Sequence, residues 1–87
     1  MRSMTLKIEV TRGDNAMTIR LIGRIQAEHV EELKRLVRGS DAVVSLDLEE
    51  VSLVDTEVVQ FLAGCGIRGI QLLRCPHYIA EWIAQQQ

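Results

Sequence analysis

The sequence predicts an α/β fold: a single mixed sheet of about four strands, an N-terminal hairpin followed by parallel strands, carrying three helices in the order ββαβαβα. Three observations predict it. Two alternating stretches flank Arg12-Gly13-Asp14-Asn15, an amphipathic helical stretch follows, and the rest of the chain alternates short β-rich runs with helical ones. Strands separated by helices pair in parallel, through right-handed crossovers.

In order, Thr5-Leu6-Lys7-Ile8-Glu9-Val10 alternates polar and apolar side chains, as a strand with one wet face requires. Gly13 and Asn15 suit a tight turn, and Met17, Ile19 and Leu21 resume the alternation, so the second strand ends at Gly23. From Gln26 to Arg38 the period lengthens. Val30, Leu33, Leu36 and Val37 share one helical face, Glu31 can pair with Arg35, and Gly39 is placed to stop the helix.

Ala42-Val43-Val44-Ser45-Leu46-Asp47-Leu48 reads as a central parallel strand. After Val51-Ser52-Leu53-Val54, Asp55 opens a short helix of about two and a half turns that ends at Gly64 and Gly66. Ile67 to Leu73 is a further strand, and Pro76 starts a last helix whose buried stripe is Ile79, Trp82 and Ile83. Trp82 is expected in the core, while Tyr78 suits either core or contact surface.

With 87 residues, 47% of them hydrophobic, the chain suits one domain over 1–87 whose working surface is an exposed face and not a two-lobed cleft. A formal charge of −2 without a basic stripe argues against nucleic acid. No apolar run approaches the roughly 20 residues needed to insert in a bilayer. Met1-Arg2-Ser3-Met4 leads straight into a strand, so a cytoplasmic protein is expected, free to dock on a membrane complex.

The residues also argue against an enzyme. Cys65 and Cys75 lack redox or zinc spacing and are expected as reduced, packed thiols. His29 has no second metal ligand one helical turn away and is expected to be solvated, as is His77. Ser45 lacks a nucleophile-elbow context, and Gly64-Cys65-Gly66 lacks the lysine of a phosphate loop. No catalytic residue, metal ligand or cofactor is expected.

The specific stretch is Leu46 to Thr56: an apolar strand reaching Asp47, a polar step, the apolar approach Val51 to Val54, then Asp55-Thr56 at a helix start. It resembles the signature of the STAS family of anti-sigma-factor antagonists, and Leu21-Ile22-Gly23-Arg24-Ile25 is similar to that family's turn before the first helix. The resemblance implies a bacterial signalling regulator that binds a protein partner, an anti-sigma factor or serine kinase. Its implied contact residues are Asp55, Thr56, Glu57, Gly23, Arg24 and Ile25.

In the family a hydroxyl residue just after the aspartate is phosphorylated. Here Thr56 matches the first hydroxyl and is the candidate phosphoacceptor, Glu57 stands at the usual phosphorylation position, and Val58 replaces a glycine. Glu57 then acts as a permanent, partial mimic of phosphoserine. The same residues have a local reading as well, Asp55 as an N-cap and Glu57 as a carboxylate at the positive helix end. The resemblance leaves two other functions open: an accessory subunit docking on the ATPase of a lipid ABC transporter, and a module binding a nucleotide or other small ligand.

Overall fold

Alternation in the first 25 positions produces a hairpin of β1 (Leu6–Gly13) and β2 (Ala16–Ile25), antiparallel and in unbroken register from Leu6 opposite Gly23 to Gly13 opposite Ala16. Asn15 takes φ 60°, the left-handed conformation that Asn tolerates better than most residues. The computed structural model describes residues 6–39 and 42–86; Met1-Arg2-Ser3-Met4 and Thr5 lie outside them. A 3-10 turn at Ala27–His29 leads into α1 (Val30–Arg38), followed by β3 (Val43–Val54), α2 (Thr56–Ile67), β4 (Gln71–Leu73) and α3 (His77–Gln85). The sheet order is β1-β2-β3-β4, with β2, β3 and β4 mutually parallel, which is the expected ββαβαβα fold.

One sheet face makes the core. Met17, Ile19 and Leu21 of β2 stand beside Val44, Leu46 and Leu48 of β3, all buried, and Leu33, Val58, Leu62 and Ile79 close over them from the helices. The opposite face carries Glu9, Thr18, Arg20, Ser45 and Gln71 at matching register, a polar surface.

β3 runs further than expected, through Glu49 and Glu50 to Val54. Two register shifts against β2, between Arg20 and Ile22 and between Gly23 and Arg24, each insert an extra β3 residue. After Leu48 the buried positions therefore step by three, to Val51 and Val54, where an unbulged strand would have turned every second residue inward. That spacing hid the second half of the strand from a period-two reading.

Two boundaries differ because packing overrides glycine. α2 passes through Gly64 and Gly66, since Leu62, Ala63 and Cys65 continue its buried side, and it ends at Ile67, closed by Gly69 just beyond. There Ile70 N–H donates to Cys65 C=O at 3.0 Å and Gly69 N–H to Gly66 C=O at 3.1 Å, the paired bonds of a Schellman cap. Gly69 takes φ 90°, so this is the glycine whose conformation the chain requires. Ile67 to Ile70 is thus helix end and turn, and β4 shrinks to three residues. In α1, Glu31 pairs with Lys34 at 3.7 Å and not with Arg35.

Candidate functional site

The start of α2 and the end of β2 meet as expected, but not through a turn. Gly23, Arg24 and Ile25 are the last three residues of β2. Gly23 takes φ 102° at the second bulge, a conformation that a side chain would strain. Arg24 emerges beside exposed Leu53, its partner on β3. Ile25 is 0% exposed: its side chain anchors the strand end in the core and offers nothing to a partner.

Asp55 occupies the N-cap position of α2 with extended φ and ψ, yet its carboxylate does not cap that helix. Its Oδ2 accepts from Ala27 N–H at 2.9 Å, at the entrance to α1, while Asp55 N–H donates to Ile25 C=O at 3.3 Å. Asp55 thereby ties the starts of two helices together, replacing the expected local cap with a bridge. Thr56 and Glu57 follow in the first turn of α2, both exposed. Val58, the next residue, is 0% exposed in the core.

Beside this region Tyr78 of α3 donates its hydroxyl to Ser52 C=O. Burial, then the neighbouring Cys75, pushes the phenol's pKa up, which keeps it a donor. β4 pairs with β3 only along Ser45 to Asp47, so this hydroxyl occupies a carbonyl beyond the reach of the ladder. Twenty-six residues separate the pair, and no local pattern could have announced it.

Asp47 was legible only as a motif position. It is 3% exposed, its carboxylate gripped by the Arg74 guanidinium and bonded by Glu49 N–H at 3.1 Å. Arg74 also reaches Glu49, 3.3 Å away. The hydrogen bond from Arg74 is the main cause holding the Asp47 carboxyl below its ordinary range; burial opposes it, and the charges of Arg74 and Arg20 assist. Arg74 adopts φ 49° to do this, a left-handed conformation costing roughly 1–2 kcal/mol for a residue with a side chain.

The residues set aside as chemistry behave as structure. Cys65 is buried and its thiol is pushed up to about 11, so it stays protonated. Cys75 is half-buried and raised for the same reason. His77 is exposed and lies 3.1 Å from Glu81. His29 is not solvated as expected: only 18% of its side chain is exposed, and its Nδ1 accepts Gln26 N–H at 2.9 Å, closing the first turn. Among the described residues no helix is long and apolar enough to cross a membrane.

No protein-family model matches the sequence, and no curated protein matches it either. Solved structures do. The unphosphorylated form of the anti-sigma factor antagonist SpoIIAA superposes with a TM-score of 0.71 at 13% identity, covering 92% of this chain and 80% of that one. An uncharacterized protein of the DUF3478 family from Shewanella loihica PV-4, itself described as having a SpoIIAA-like fold, gives 0.54 at 15% identity, covering 78% of this chain and 63% of that one. At these identities the likeness is one of architecture alone: the chain, an open mixed sheet of four strands carrying three helices, has a SpoIIAA-like fold.

Proposed function

We propose that the chain is a non-catalytic cytoplasmic regulator that binds a protein partner through the start of α2. The contact residues are Asp55, Thr56 and Glu57, with Gly23 and Arg24 beside them. The observation that carries this reading is the exposed carboxylate of Glu57 in the first turn of α2, on the fold of an anti-sigma factor antagonist. Thr56 is the exposed hydroxyl a serine/threonine kinase meets in this face. Leu53, 53% exposed beside Arg24, supplies the apolar contact such a surface needs.

Glu57 acts here as a charge that cannot be removed. Phosphoserine carries about −1.5 to −2 and three acceptor oxygens, whereas a glutamate carries a single charge and two oxygens. The regulator is then held in one binding state, with Thr56 as the position left for modification. The partner class that fits is an anti-sigma factor or serine kinase, the class that the resemblance of Leu46 to Thr56 to the STAS signature implies.

Affinity capture from extracts of the source cells, with mass spectrometry, compares wild type with Glu57→Ser and Asp55→Ala. Enrichment of one kinase-like protein whose Kd, measured on purified components, shifts about tenfold in Glu57→Ser is the expected result. A partner whose affinity ignores Glu57 removes the switch. Enrichment of a transporter ATPase in place of a kinase assigns the accessory-subunit function instead.

A further inference from the structure

α1 and α2 each follow one of two parallel strands, so the two helices run in the same direction. Between them lies a groove of about 470 Å³. Its apolar lining is Val30 and Val37 from α1 and Phe61 and Cys65 from α2. Because the helices are codirectional, their C-terminal ends bring Arg38 and Arg68 to one end of the groove, with Lys34 and Glu31 together on its wall, while Glu57 lies at the other end. Lys34 is paired with Glu31, and neither Arg38 nor Arg68 has an ion-pair partner among the described residues. Each arginine complements the negative end of its own helix, which leaves most of its five N–H donors free for a ligand.

We infer that this groove is a binding site for a monoanionic amphiphile, an alkyl chain ending in a single carboxylate. The head group lies between Arg38 and Arg68, where planar guanidinium forks match a carboxylate. The chain runs along Val37, Phe61 and Val30 toward Ala27. From Arg38 back to Val30 the groove extends roughly 12 Å at about 1.5 Å per residue, which suits a medium-length chain. At the far end Glu57 repels a second negative charge, so the site discriminates against a dicarboxylate of equal length. The volume falls within the range of roughly 300–1,000 Å³ typical of small-molecule sites. The site goes beyond the protein-binding reading and does not depend on it: it lies along the two helices and touches the proposed contact face only at Glu57.

Sodium decanoate below its micellar concentration is the probe, titrated into the whole chain and followed by amide chemical shifts. Shifts confined to the facing sides of α1 and α2 are expected, with affinity rising about two- to fourfold per added methylene. Arg38→Gln/Arg68→Gln, both exposed positions, is expected to weaken binding at least about tenfold while circular dichroism stays unchanged. Decanedioate is expected to bind more weakly than decanoate, and that gap to narrow in Glu57→Gln. Shifts scattered over the open sheet face, equal binding of decyltrimethylammonium, or full affinity in the double variant each overturn the site. None of these bears on the partner experiment, whose readout is a protein complex.

Discussion

Asp47 lies on the sheet surface opposite the core yet is almost wholly covered, because Arg74 folds over it. Replacing Asp47 with Ala removes a charge-assisted bond at a buried site and is expected to cost about 2 kcal/mol in urea denaturation at pH 7. The pH dependence follows from the sign of its shift. Its folded value lies below the ordinary carboxyl range, so its stabilisation is complete above that range and is lost as the pH falls through the folded value. The difference between wild type and Asp47→Ala should therefore shrink as the pH falls below the ordinary carboxyl range. Asp55 and Glu57 separate in the same assay. Asp55→Ala loses the bond to Ala27 and is expected to cost about 1 kcal/mol, whereas Glu57→Ala stays within about 0.5 kcal/mol. A residue that matters for partner affinity but little for stability is what the proposed contact face requires of Glu57.

For the elements, glycine teaches the clearest lesson. Three glycines near the end of α2 look alike in the sequence, and helix propensity alone stops the helix at the first of them. Apolar residues on the buried side carry it onward, and only Gly69 holds a conformation that needs glycine. The same substitution should thus act in opposite directions. Gly66→Ala adds a methyl into open space inside a helix and is expected to stabilise by about 0.5–1 kcal/mol. Gly69→Ala forces a side chain into φ 90° and is expected to destabilise by about 1 kcal/mol or more. Thermal unfolding of the two variants decides this, and loss of stability in both would show that the helix does end early.

Across the whole molecule, the site depends on burial some distance from it. Ile25 and Arg24 are neighbours in sequence, but one lies wholly in the core and the other is exposed. Ile25→Ala is expected to cost about 2–5 kcal/mol and to impair binding only by unfolding, while Arg24→Ala leaves stability nearly unchanged. Chemical denaturation set beside partner affinity separates the two effects. The bridge from Asp55 to Ala27 works at this scale too, because it couples the ends of β2 and β3 through the helices that leave them.

The sequence by itself determined the element order, the hairpin, the core-facing sides of α1 and α3, of which Leu33 and Ile79 are buried and Trp82, expected in the core, only partly so, and the placing of Asp55, Thr56 and Glu57 at a helix start. All of these rest on local periodicity or on spacing within one motif, which neighbouring residues carry. Tertiary structure decided the rest. The bulges of β3 shift its period, the end of α2 answers to buried area and not to propensity, and Asp55 bonds to a helix 28 residues away. The groove escaped for the same reason. Its walls are the margins of two core-facing helical sides, Val30 and Val37 beside Lys34 and Arg38 on α1 and Phe61 beside Glu57, Gly64 and Arg68 on α2, and each reads alone as an ordinary amphipathic boundary. Only codirectional packing of the two helices sets those margins against each other and gathers their arginines at one end.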